Sequence, residues 1–215
     1  MNFNIVLCIG DSITNGARDD KKSSYPLEME TILENSVGGM WICLNEGING
    51  ETTCDIVKRF YSLLKKYPEA QEVCFFEGVN DSKDNKNTPV DTFKKNLEHC
   101  IKASIVRQKK LFVGTIPYQK GILAPSYNKA TNERVNLYNE QINKLCAKYS
   151  LTKVELSDLD ETLYSDGIHF NNKGHTEIAK RFAQAILKER GHNQNSSTET
   201  VENNNELANN SLSRS

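Results

Sequence analysis

The chain has 215 residues, with 27 basic and 28 acidic side chains and a formal net charge of −1. That length suits a single domain whose core can form without disulfides or metals, and the balanced charge leaves no electrostatic footprint for nucleic acid or an anionic membrane. No apolar run approaches the ~18 residues that span a bilayer, and a 37% apolar share excludes a fibre and a wholly disordered chain.

Phe3–Ile9 is rich in β-branched residues and stops at Gly10-Asp11, which reads as a buried strand. The start carries no basic segment, and Ile5–Ile9 is too short for the apolar part of a signal peptide, so a mature start and a cytoplasmic location are expected. Tyr25-Pro26 opens a helix, with proline suited to the first turn and Leu27, Met29, Ile32 and Leu33 as its buried side. Trp41–Leu44 is a second strand, stopped by Asn45-Glu46-Gly47. Thr52–Tyr67 places Val57, Phe60 and Leu64 on one helical stripe, with Ile56 and Leu63 beside it. Val73–Phe76 is a third strand. Pro89 begins a helix with Phe93, Leu97, Cys100, Ile101 and Ile105 inward.

Leu111–Ile116 is a fourth strand, followed by a loop through Gly121 and Pro125. The next helix carries Val135, Tyr138, Ile142, Leu145 and Tyr149 at spacings of three and four. Leu151–Leu156 is a short fifth strand, and Lys173–Arg190 a last helix with Ile178, Phe182 and Ile186 inward. Five alternations of strand and helix predict an α/β fold, a parallel sheet covered on both faces, in the flavodoxin-like order 2-1-3-4-5. From Gly191 onward seven asparagines and five serines dominate, so residues 191–215 read as a disordered tail. The six cysteines, Cys8, Cys43, Cys54, Cys74, Cys100 and Cys146, form no C-x-x-C pair and read as reduced thiols.

In such a sheet ligands bind beyond the carboxyl ends of the strands. After the first strand, Gly10-Asp11-Ser12-Ile13-Thr14 offers a serine hydroxyl, or a helix cap. After the second, Gly47 and Gly50 let backbone N–H groups approach a ligand, or form a tight turn before a helix. After the third, Asn80 in Gly78-Val79-Asn80-Asp81 can donate to an oxyanion, or close an Asx turn. After the fifth, the Asp166 carboxylate can orient the His169 ring three residues on, or both can sit in a surface turn. Since each follows a different predicted strand, all four should converge on one crevice and together supply a hydroxyl, a base, an orienting carboxylate and amide donors, the components of acyl transfer.

With Gly10-Asp11-Ser12, Gly50, Gly78-x-Asn80-Asp81 and Asp166-x-x-His169 in this order, the chain resembles the SGNH hydrolases, or GDSL esterases, over about residues 3–190. Ile13 stands where the family name has leucine. The resemblance implies a three-layer α/β/α sandwich over residues 1–190 and a serine esterase acting through an acyl-enzyme. It implies Ser12 as nucleophile, His169 as base and Asp166 as its orienting partner. The oxyanion hole would then be the Ser12 N–H, the Gly50 N–H and the Asn80 side chain. The partner is a small-molecule ester; no cofactor and no metal are expected.

Three other readings compete. A metal-dependent phosphoesterase would use Asp11, Asn80, Asp81, Asp166 and His169 as ligands, although two-metal sites want more carboxylates and histidines. A non-catalytic binding module would keep the fold alone. A transferase passing the acyl group to an alcohol would use the same residues. His175 reads as a capping or packing residue, His99 and His192 as solvated, and Trp41 as core or rim. The loop Pro117–Asn132, with Ile122, Leu123 and Tyr127, is a candidate pocket wall.

Overall fold

The computed structural model describes residues 3–18, 23–121 and 129–191. The elements run β1 (Phe3–Gly10), α1 (Ser12–Asn15), α2 (Tyr25–Val37), β2 (Met40–Gly47), α3 (Thr53–Lys66) and β3 (Glu72–Phe76). They continue with α4 (Val90–Val106), β4 (Lys110–Gly114), α5 (Lys129–Tyr149), β5 (Thr152–Val154) and α6 (Asn172–Glu189). All neighbouring strands pair in parallel, in the expected order β2-β1-β3-β4-β5. The Asn- and Ser-rich tail beyond Gly191 lies outside the described residues, as do Ile122, Leu123 and Tyr127 of the expected pocket wall.

Alternation along β3 builds the three layers. Successive strand residues face opposite sides of a sheet. Phe75 meets Phe60 of α3 edge-on, at 5.8 Å between ring centres. Phe76 turns the other way, to Tyr25 of α2 at 6.1 Å and Phe182 of α6 at 6.3 Å. Tyr25 and Phe182 stack at 5.3 Å, which locks α2 to α6. On the α3 side, Phe93 of α4 stacks on Tyr138 of α5 at 4.4 Å. Each of these rings is at most 2% exposed.

The sheet edge at β2 is closed by acidic side chains. Glu34 and Glu30 of α2 accept hydrogen bonds from the outward Trp41 and Cys43 N–H groups at 3.3 and 2.7 Å. An edge with its donors occupied no longer templates another strand.

Several expectations shift. β2 does not stop at Asn45 but pairs through Gly47, opposite Gly10. Its polar end is tolerated because Asn45 Nδ2 donates to the Thr14 carbonyl at 2.8 Å and Glu46 accepts from Lys66 and Tyr67. Leu27 and Ile105, expected inward, are 55% and 48% exposed. Ser104 takes the inward place in α4, its hydroxyl bonded to the Cys100 carbonyl at 3.1 Å. In α3 the buried stripe runs through Ile56, Phe60, Leu63 and Leu64, with Val57 at its margin. Five of the six cysteines are buried, and all six are unbridged. Among the described residues no helix is long and apolar enough to cross a membrane.

Phe182→Ala removes the ring that joins α2, β3 and α6. It should lower the unfolding free energy by about 3–5 kcal/mol, read as an earlier urea midpoint with an unchanged slope.

Candidate active site

Gly10 ends β1 where a Cβ would come within 2.2 Å of the Phe76 carbonyl oxygen and of Thr14 Oγ1. Only glycine lets the chain turn there into α1. Asp11 caps that short helix, its Oδ1 accepting from the Ile13 N–H at 2.8 Å. The cap and the serine hydroxyl, alternatives at the level of sequence, are therefore both present. Ser12 is the first residue of α1 and is 6% exposed.

The loop before α6 brings His169 to Ser12. His169 Nε2 lies 3.0 Å from Ser12 Oγ, across 157 residues of sequence. Its Nδ1 lies 2.8 Å from Asp166 Oδ2. An ionised carboxylate only accepts, so the ring proton sits on Nδ1 and Nε2 is left to accept from the serine. Burial pushes the Asp166 carboxyl up. Hydrogen bonds from the His169 N–H, the His169 ring and the Ile168 N–H outweigh it and hold the group below the usual carboxylate range. A cleft of about 500 Å³ opens beside this chain, walled by Arg18, Lys83, Asp84, Asp166, Ile168 and His169.

The amide donors lie on neighbouring loops. Gly50 sits in an exposed turn with φ +75°, a left-handed conformation that favours glycine, and among the described residues its N–H meets no acceptor. Asn80 is buried, and its Nδ2 donates to the Glu51 carbonyl at 2.8 Å and to Asp11 Oδ2 at 3.1 Å. Asn80 thus ties the β1, β2 and β3 loops together. Arg59 of α3 braces the β2 loop from behind, gripping the Glu51 carboxylate and the Glu46 carbonyl.

An acidic cluster stands behind the serine. Burial pushes the Asp11 carboxyl up to about 7, against the Ile13 N–H and the Lys83 charge. Glu77, 2% exposed at the end of β3, is raised well above the ordinary glutamate value by burial and then by Asp11 and Asp81. Asp81 is raised by burial although Thr53 donates to it through both N–H and hydroxyl, at 2.9 and 2.6 Å. Among the described residues no group of three or more His, Cys, Asp or Glu side chains is arranged to hold a metal ion. His175 is buried with its ring edge-on to Phe170, and His99 is exposed.

Sequence reading missed Lys83, whose Nζ donates to Asn80 Oδ1 at 2.7 Å, and the Arg59–Glu51 pair. The available signal was spacing: Lys83 follows Asn80 by three within one turn, and Arg59 follows Glu51 by eight, down the helix its loop enters.

Beyond the strand ends of this doubly wound parallel sandwich, a serine, a histidine and an aspartate stand in one hydrogen-bonded line, an arrangement that can activate a hydroxyl as a nucleophile. The chain belongs to the GDSL-like Lipase/Acylhydrolase family, whose model matches residues 8–176. It is 26% identical over 208 residues to an acetylxylan esterase of Xylanibacter ruminicola, covering 84% of this chain and 42% of that protein, so it spans less than half that relative's length. It is 26% identical over 211 residues to the isoamyl acetate-hydrolyzing esterase of Saccharomyces cerevisiae, covering 87% of this chain and 86% of the relative. Among solved structures, the lipase/acylhydrolase from Enterococcus faecalis superposes with a TM-score of 0.73 at 27% identity, over 87% of this chain and 96% of that one.

Glu77 gives a stability prediction with a defined sign. Its folded pKa lies above its unfolded value, so the folded state holds a proton that the unfolded state releases, and stability falls as pH rises toward the folded pKa. Glu77→Gln keeps the shape and removes the titration. Its thermal midpoint should gain on the parent's as pH rises above the ordinary glutamate range; a pH-independent difference would refute the assignment.

Proposed function

We propose that this chain hydrolyses carboxylic esters of small molecules through an acyl-enzyme on Ser12. The observation that carries the reading is the Oγ–Nε2 approach of 3.0 Å with Asp166 on the far side of the ring. A serine hydroxyl is a weak nucleophile at neutral pH and needs a base at hydrogen-bond distance. His169 takes the Ser12 proton as Oγ attacks the carbonyl carbon, then returns it to the departing alcohol as the ester C–O bond breaks. Water attacks the acyl-serine with His169 again as base, and the acid and the free serine result. Asp166 steadies the imidazolium at both stages without taking the proton.

The carbonyl oxygen gains negative charge at each attack. The Ser12 N–H, the Gly50 N–H and the Asn80 amide are the donors assigned to it. That the Gly50 N–H meets no acceptor among the described residues supports that assignment. Asn80 already donates to Glu51 and Asp11, so its part is to share one of those hydrogen bonds as charge develops. Two curated relatives are named for acetylxylan and for isoamyl acetate, which makes acetate the first acyl group to offer. No organic cofactor enters these steps.

Turnover of p-nitrophenyl acetate should fall roughly 10⁴–10⁶-fold in Ser12→Ala and in His169→Ala, with folding retained. A fluorophosphonate probe should label the parent and not Ser12→Ala; an equally labelled and active Ser12→Ala protein would sink the reading. Asn80→Ala should cost about 10²–10³-fold in kcat, as one lost oxyanion donor.

A further inference from the structure

The Asn80 amide is gripped at both ends. Lys83 Nζ lies 2.7 Å from Oδ1, while Nδ2 faces the Glu51 carbonyl at 2.8 Å and Asp11 Oδ2 at 3.1 Å. An ammonium has donors only, so the carbonyl end of the amide must face Lys83 and the NH₂ end must face Asp11 and Glu51. The geometry is local: the Lys83 N–H also donates to the Asn80 carbonyl at 3.2 Å, closing the turn that carries both residues. Lys83 is half-buried and lines the same cleft as His169. Burial works against its charge, and the carboxylates of Asp11 and Asp166 work for it.

We infer that Lys83 is a positioning residue for ester cleavage: its ammonium holds Asn80 with Nδ2 toward the Asp11–Ser12 turn and polarises the amide. The inference rests on Asn80 being an oxyanion donor. A hydrogen bond to a charged partner is stronger than a neutral one, and a donor whose carbonyl end is so polarised gives its own N–H more readily. Lys83 also sets a positive charge against Asp11, whose ionised form beside an incoming oxyanion would oppose it. Both effects grow as the carbonyl oxygen gains charge, so they act on kcat and leave ground-state binding alone. Nothing in this role requires Lys83 to touch the substrate.

The experiment compares the parent, Lys83→Met, Lys83→Arg, Asn80→Ala and the Lys83→Met/Asn80→Ala double variant on p-nitrophenyl acetate, with Ser12→Ala as the control for reaction class. Lys83→Met should lower kcat about tenfold, less than the loss of the donor itself, and leave KM within about twofold. Lys83→Arg, which keeps the charge, should recover part of the loss. In the Asn80→Ala background the same Lys83→Met change should cost less than about twofold, because the residue it acts through is gone. An unchanged kcat in Lys83→Met, an effect confined to KM, or an undiminished tenfold loss without Asn80 would each overturn the inference. Urea unfolding of every variant identifies loss of fold; if Lys83→Met unfolds, Lys83→Gln replaces it in the same cycle. Ser12-dependent turnover that ignores Lys83 defeats this inference alone. Turnover that ignores Ser12 defeats the esterase reading and this inference with it.

Discussion

The contact between Ser12 Oγ and His169 Nε2 joins residues 157 positions apart, and the rest of the site is arranged around it. Only tertiary structure can hold such a pair. Strands β1 and β5 are not neighbours in the sheet; β3 and β4 lie between them. The carboxyl ends of a parallel sheet nevertheless open onto one side, so loops leaving different strands share a crevice. The serine approaches from the turn after β1, and the histidine from the long connection that follows β5. A hydrogen bond of 3.0 Å between them requires that the sheet, α1 and the loop before α6 hold their places together.

That requirement explains why costly groups are buried behind the serine. Asp11, Glu77 and Asp81 are 1%, 2% and 0% exposed, and bringing carboxyl groups out of water is unfavourable. Asp11 and Asp81 offset the cost with structure: one caps α1, the other receives the first N–H of α3. Each therefore orients a loop that the crevice needs. Asn80 then bridges Asp11 to Glu51, so three loops share one polar network. A network of this kind is stabilising only when its members are paired, and the pairing specifies one geometry.

The frame was legible in the sequence because its signals are periodic. Short β-branched runs and stripes at spacings of three and four marked the five strands and the major helices, and their alternation suggested the flavodoxin-like order that the sheet has. The candidate site was legible because glycine, serine, asparagine and histidine fell in the connections that follow those strands. Helix faces were read less well at their margins. Ile105 looked inward by type, yet Ser104 occupies the core position with its hydroxyl satisfied by a backbone carbonyl. The end of β2 was missed because Asn45, Glu46 and Gly47 look like a turn, whereas pairing with β1 and three hydrogen bonds made by the Asn45 and Glu46 side chains keep them extended. Lys83 was invisible for a plainer reason: a lysine between acidic and polar neighbours reads as solvated, and its bond to Asn80 exists only once the turn has formed.

The histidine loop shows how a flexible segment becomes a precise support. Asp166 Oδ1 accepts from the N–H groups of Ile168 and His169, at 3.0 and 2.7 Å, while Oδ2 holds the ring. One side chain thus shapes the turn and orients the imidazole. The turn is closed by Ser165, whose N–H donates to the His169 carbonyl at 2.8 Å, and by the bridge between Tyr164 and Phe170. It is anchored outward by the Lys120 N–H on the Gly167 carbonyl at 2.8 Å, and onward by Asn171, which caps α6. Ordering a loop side chain costs conformational entropy each time it must find its position. Here that cost is met during folding, because the backbone and side-chain bonds of the turn already hold the ring at the serine.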